Sequence, residues 1–293
     1  MQSMQWRHAT GLLALDRPRI VGIINMTPDS FSDGGRLRTL DDVRQVASRL
    51  IAEGADVLDV GGESTRPQGA QPVSADDELR RVVPAISAIR VDHPDVPLSI
   101  DTNKARVASA ALGLGVSIVN DVSGFRLDPA MAEVCAAAGA GVVLMHSRGD
   151  VADMATFVHS EYGADVTGAV VGELQACVER ATRVGIAADQ IVLDPGIGFS
   201  KRGDQSVRVL HELSRVVALG YPVLVGVSRK RFIGHLTGVS VPTDRVAGTT
   251  GANVAALDRG ARLFRVHDVR AAREALDVAW AIAAEQDYAD YSI

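Results

Sequence analysis

The run IVGIIN at residues 20–25 is followed by a polar stretch, TPDSFSDGG at 27–35, and then by Leu40, Val43, Val46, Ala47, Leu50 and Ile51 at helical spacing. An uninterrupted short apolar run reads as a strand covered on both faces. The stripe after it reads as a helix with one buried side. Strand, polar loop and helix make one unit, and the unit recurs along the whole chain. Further strands are expected at 57–60, 98–101, 117–120, 141–146, 191–194, 223–227 and 263–266.

The intervening segments carry matching stripes. Leu79, Val82, Val83, Ile86 and Ile89 share one helical face, opened by Ser74 with Asp77 three residues later. Val166, Ala169, Val170, Leu174, Cys177 and Val178 form another, and Val269, Ala272, Leu276, Ala279 and Trp280 the last. Regular alternation of this kind gives an α/β fold with a parallel sheet. Eight units in 293 residues predict an eight-stranded parallel (β/α)8 TIM barrel, with an open doubly wound sheet as the alternative. No linker or composition break divides the chain, so residues 1–293 are expected to form a single domain. Residues 1–19 would be an extension plugging the bottom of the barrel, and 285–293 a frayed tail.

Composition narrows the function. The chain is 47% hydrophobic but only 4% aromatic, so small and branched aliphatics supply the core. A formal net charge of −6 argues against a nucleic-acid partner. No apolar run is long enough to span a membrane, and the N-terminal residues do not read as a signal peptide. Cys135 and Cys177 fall on expected helices without metal-ligand spacing, and read as buried small hydrophobes in a cytoplasmic protein.

The informative residues follow the strands. In a barrel, chemistry gathers where the strands end. Here those ends carry Asn25, Asp59, Asp101, Asn120, Asp121, His146, Asp194, the run SRKR at 228–231, and Arg265 with His267 and Asp268. One strand-end Asp is usually a turn former. Eight polar ends facing one mouth point to a pocket for a charged, heteroatom-rich ligand. Asp101, Asn120 and Asp194 suit the donor edge of a heterocycle. Lys230, Arg265 and His267 suit an anion, beside the last strands where barrels often hold phosphate.

Seven segments go further: NMTPDSFSDGG at 25–35, DVGGESTRP at 59–67, SIDT at 99–102, NDVSG at 120–124, LDPGIGF at 193–199, SRKRF at 228–232 and RVHDV at 265–269. Together and in order, they closely resemble the dihydropteroate synthases. That resemblance implies an enzyme condensing 6-hydroxymethyl-7,8-dihydropterin pyrophosphate with 4-aminobenzoate, with Mg²⁺ as cofactor and a homodimeric assembly. It implies a pterin site of Asp101, Ile118, Asn120, Met145, Asp194, Gly226 and Lys230. The pyrophosphate would lie at Asn25, Arg265 and His267, with Asn25 also on the metal. The aminobenzoate would meet Phe31, Thr65, Arg66, Pro67, Phe199, Ser228 and Lys230. The catalytic group would be Asp101, Lys230, Asp29, Arg265 and His267. A pterin-binding methyltransferase would need neither long loop. A non-catalytic paralogue should have lost loop residues that are all present here.

Overall fold

Eight apolar runs pair in parallel around a closed ring in the computed structural model, which describes residues 4–26, 39–63 and 73–284. The chain begins with a hairpin, β1 (Gln5–His8) and β2 (Gly11–Ala14), and enters the ring at β3 (Arg19–Asn25). It continues through α1 (Leu40–Ala52), β4 (Val57–Gly61), α2 (Ala75–Asp92), β5 (Leu98–Asp101), α3 (Ala105–Gly113), β6 (Ile118–Asp121), α4 (Met131–Ala138) and β7 (Gly141–Met145). Then come α5 (Val166–Arg183), β8 (Ile191–Asp194), α6 (Gly203–His211), α7 (Ser214–Val217), β9 (Leu224–Val225), α8 (Arg231–Thr237), α9 (Val246–Asp258), β10 (Leu263–Val266) and α10 (Val269–Ala283).

Each strand from β3 to β8 pairs with the next, β10 lies between β3 and β9, and a parallel bridge from Leu193 to Val223 joins β8 to the last gap. The ring therefore closes, and the open-sheet alternative falls. The expected strand at 223–227 shrinks to Leu224–Val225 flanked by that bridge. The chain leaves the ladder there to make the turn in which Arg229 takes a positive φ of 60°. Likewise β7 ends at Met145, one residue before the expected end, although His146 N–H still donates to Asp194 O at 2.9 Å.

The helices bury the stripes read from the sequence. Val43, Ala47 and Leu50 on α1, and Val269, Ala272 and Leu276 on α10, pack into the shell between barrel and helices. Thr39 and Asp42 form a reciprocal capping box that starts α1. Ser74 caps α2 by accepting from Asp77 N–H. Cys135 and Cys177 are both buried and unbridged, and burial pushes the Cys135 thiol up to about 12. No helix among the described residues is long and apolar enough to cross a membrane.

The N-terminal hairpin closes one end of the ring. Trp6 is only 1% exposed and packs with Val21, Val57, Ile118, Val143, Val192, Leu224 and Leu263, all from different strands. Its indole N–H donates to Gln190 O at 2.9 Å, so the one polar atom of a buried ring is satisfied. Deleting a buried aromatic of this kind leaves a void the strands cannot fill. Trp6→Ala should lower the unfolding free energy by about 3–5 kcal/mol in chemical denaturation. A loss below about 1 kcal/mol would mean that the hairpin is peripheral to the core.

Candidate active site

Alternation along the strands stacks the barrel interior in tiers. Side chains two residues apart face the same way. Val57 precedes Asp59, Ile118 precedes Asn120, Val143 precedes Met145, Val192 precedes Asp194, Leu224 precedes Gly226 and Leu263 precedes Arg265. The first member of each pair lies in the apolar floor around Trp6. The second stands one step nearer the open mouth. A polar tier thus rests on a dry floor, and a small cavity lined by Trp6, Val21, Val57, Asp59, Ser99, Asn120, Val143 and Leu224 separates them.

Arg265 is the centre of the polar tier. Its Nε donates to Asp59 Oδ2 at 2.6 Å and its Nη2 to Asp101 Oδ2 at 2.7 Å. Asn120 Nδ2 reaches the same Asp59 oxygen at 3.2 Å. Burial would depress the guanidinium's proton affinity, but Asp59 and Asp101 outweigh it and raise the pKa. Asp101 is pushed the other way from a normal carboxyl. Burial is the main cause, Arg265 opposes it, and the charges of Asp59, Glu78 and Asp121 add to it, so its pKa rises to about 7. Asp59 belongs to this site although the sequence reading gave it no role. The signal was its position two residues after an inward-facing Val57, beside a strand end rich in glycine.

Asp194 and Lys230 occupy the facing side. Asp194 accepts from Gly196 N–H at 2.7 Å, and burial raises its pKa against the pull of Lys230. The Lys230 ammonium donates to Ile197 O and lies 4.5 Å from the centre of the Phe199 ring. Burial lowers its pKa to about 8, with Asp194 opposing. Gly226 lies between Asp194 and Arg265, and a Cβ there would come no closer than 3.8 Å to Asp194 Oδ2. Ser228 Oγ is 2.9 Å from His267 Nδ1 and accepts from His267 N–H at 3.2 Å, which ties the last two strand ends together. Asn25 Oδ1 and Asp101 Oδ2 approach the same side of Gly61.

Most of the expected pterin and pyrophosphate residues therefore converge, with one exception. Ile118 was expected against the pterin face, but it lies in the floor with Trp6. Just past the end of that strand, Val122 joins Met145, Met154 and Phe199 in a small apolar cluster near the mouth. Asp121 points away from the tier and spends its oxygens on Ser123 and the Phe125 N–H, as a turn former does. Arg229 also turns away, pairing with Asp268 at 2.9 Å through Nε. Asp29, Phe31, Thr65, Arg66 and Pro67 lie outside the described residues.

Residues 21–267 match the pterin binding enzyme family. Dihydropteroate synthase from Mycobacterium leprae is 43% identical over 281 residues, which cover 94% of this chain and 97% of that protein. The chain belongs to the dihydropteroate synthase family. A solved family member from Xanthomonas albilineans with 4-aminobenzoic acid superposes with a TM-score of 0.88 at 43% identity, covering 97% of this chain and 99% of that one. A second, from Thermus thermophilus in complex with 6HMPPP, gives 0.80 at 42% identity, covering 94% and 98%. The barrel that all of them share is the one derived above from strand alternation.

Proposed function

We propose that this chain joins the amine of 4-aminobenzoate to the exocyclic methylene of 6-hydroxymethyl-7,8-dihydropterin pyrophosphate, releasing pyrophosphate and 7,8-dihydropteroate. The observation that carries the reading is the polar tier: a carboxylate pair bridged by Arg265, flanked by Asn120, Asp194 and Lys230, over an apolar floor. Asp101, Asn120, Asp194 and Lys230 match the donor and acceptor edge of a pterin, with Met145 and Gly226 beside the ring. Arg265 spends two of its five N–H groups on carboxylates and keeps the rest for an anion.

The aniline nitrogen is a weak nucleophile. Pyrophosphate therefore leaves first and a resonance-stabilised pterin cation follows. Arg265, His267 and Asn25 stabilise the departing charge. Ionised Asp101 stabilises the cation. Asp29 and the aminobenzoate residues Phe31, Thr65, Arg66 and Pro67, which lie outside the described residues, act together with Phe199, Ser228 and Lys230. The attacking amine becomes acidic once bonded and needs no dedicated base.

Mg²⁺ fits this arrangement. Among the described residues no group of three His, Cys, Asp or Glu side chains could hold an ion. One hard amide oxygen at the mouth, that of Asn25, is what a Mg²⁺ shared with substrate phosphates requires. Bound there, the ion would supply Lewis-acid stabilisation to the leaving pyrophosphate. A homodimer is expected to form through the late helices, where Val278 and Ile282 lie one turn apart on α10 and are 62% and 75% exposed. Light scattering would show a particle of one chain's mass if that is mistaken. The cytoplasmic location expected from two unbridged cysteines is part of the same reading.

The deciding experiment supplies the purified chain with the pterin pyrophosphate, 4-aminobenzoate and Mg²⁺, and follows pyrophosphate and dihydropteroate together. Equal amounts that require aminobenzoate and vanish with a chelator are expected. Pterin binding without either product would leave a pterin binder only. The site also sets a pH profile. Asp101 must be ionised, and its pKa of about 7 places an acid limb there. Lys230 must be a cation, and its pKa of about 8 places an alkaline limb above it. kcat/KM for the pterin should be bell-shaped with a narrow top between those values. A profile flat from pH 6 to 9 on the order-of-magnitude scale of a tenfold change would remove one of the two roles.

A further inference from the structure

A second buried cation lies behind the site, and no step above uses it. Lys201 is 1% exposed at the end of the loop between β8 and α6. Its ammonium donates to His146 Nδ1 at 2.8 Å, Gly196 O at 3.1 Å and Phe199 O at 3.1 Å, so all three protons are used. With Nδ1 accepting, the His146 proton sits on Nε2, which faces Glu173 Oε2 at 3.0 Å. Glu173 is held in turn by Arg148, whose guanidinium lies 3.9 Å over the Tyr162 ring.

The loop that Lys201 grips is tightly folded. Phe199 N–H donates to Gly196 O at 3.0 Å. Gly196 has a φ of 64°, and a Cβ there would fall 1.9 Å from His146 O, so only glycine lets the backbone press this closely. The same loop presents Ile197 O and the Phe199 ring to the Lys230 ammonium. A buried amine of this kind is costly to keep charged. Burial lowers its pKa to about 7, with Asp194 and Glu173 opposing and Lys230 and Arg148 adding to the fall.

We propose that Lys201 is a positioning residue: by clamping Gly196 O, Phe199 O and His146, it fixes the loop that aims Phe199 at the aminobenzoate. This rests on the function proposed above. Lys201→Met keeps the length of the side chain and removes a charge whose burial is unfavourable, so the fold should persist. It leaves two carbonyls and His146 Nδ1 without their donor.

The test compares the full-length parent, Lys201→Met and Lys201→Gln. Phe199 is on the clamped loop and serves the aminobenzoate alone, whereas Lys230 stands on α8's N-terminus and only touches that loop. In Lys201→Met the KM for 4-aminobenzoate should therefore rise at least about tenfold, and by clearly more than the Kd for the pterin pyrophosphate, a split expected when one subsite loses its support. Lys201→Gln, which can still donate, should recover part of the loss. Amide exchange at Phe199 and Ser200 should quicken at least about tenfold, with Val192–Asp194 unchanged. A parent-like KM overturns the proposal, as does parent-like exchange, or an equal loss of pterin and aminobenzoate binding. If the parent makes no product, the synthase reading fails by itself, and the exchange measurement still judges the clamp.

Discussion

Asp101→Asn should lower kcat by about 100- to 1,000-fold, the loss typical of one electrostatic stabiliser removed from a closed site. Pterin affinity should change by less than about tenfold. The neutral amide can still accept from Arg265, so the geometry of the tier should survive. What disappears is the negative charge set against the cation that forms when pyrophosphate leaves. The pH dependence supplies an internal control. Asp101 in the parent takes up a proton as pH falls through about 7. The gap between parent and variant should therefore narrow from pH 8 to pH 6. Stability should move the other way. A carboxyl whose folded pKa is raised from 3.8 to about 7 weakens the fold increasingly as pH rises through that window. At pH 8 the variant should melt higher than the parent, an exchange of stability for function. Steady-state kinetics with parallel pterin titration checks the assignment, and a normal kcat would refute it.

Arg265→Met should be the most damaging single change in the tier. It strands Asp59 and Asp101, which now share one guanidinium at 2.6 and 2.7 Å. Removing one partner of a buried ion pair costs about 3–5 kcal/mol, because the remaining charge has nowhere to go. Asp101 already binds its proton more tightly in the folded state, and without the opposing charge of Arg265 it does so more strongly. The stability deficit should therefore be full at pH 8 and shrink as pH falls towards 5. Adding Asp59→Asn to Arg265→Met should restore part of the stability, since it removes one stranded charge, but none of the activity. kcat/KM should fall at least about 1,000-fold, as for other arginines that meet a departing phosphate. Denaturation at two pH values, on the single and double variants, separates the two effects. Equal stability of Arg265→Met and parent at pH 8 would mean that water already reaches the tier.

The barrel was legible because its signal is repeated. Eight short apolar runs, each buried on both faces, leave little choice of architecture, and seven of the eight expected strands match the ladder to within one residue at each end. The failure at 223–227 has a local cause. Five consecutive residues, VLVGV, are apolar, but the last two must open the mouth rather than extend the ladder. Convergence of Asp101, Asn120, Asp194, Lys230 and Arg265 was legible from their place at strand ends. Three details were not. Ile118 carries the right chemistry for a ring face, and only the tier spacing shows it to be one step too low. Asp59 was read only as one of the polar strand ends, with no role of its own, because its partner, Arg265, lies 206 positions away. Lys201 gave no signal at all, since a lysine in a polar loop ordinarily faces water.

The hairpin at the far end of the barrel bears on the chemistry at the mouth. Among the described residues, Trp6 and the apolar floor around it line the small cavity on the underside of Asp59. They act as an electrical insulator. If the plug were shortened or loosened, water entering from below would hydrate the carboxylates, screen the guanidinium between them, and let Asp101 ionise like an ordinary surface acid. The hairpin of β1 and β2, at the opposite end of the barrel from the polar tier, thereby tunes the field in which the pterin reacts.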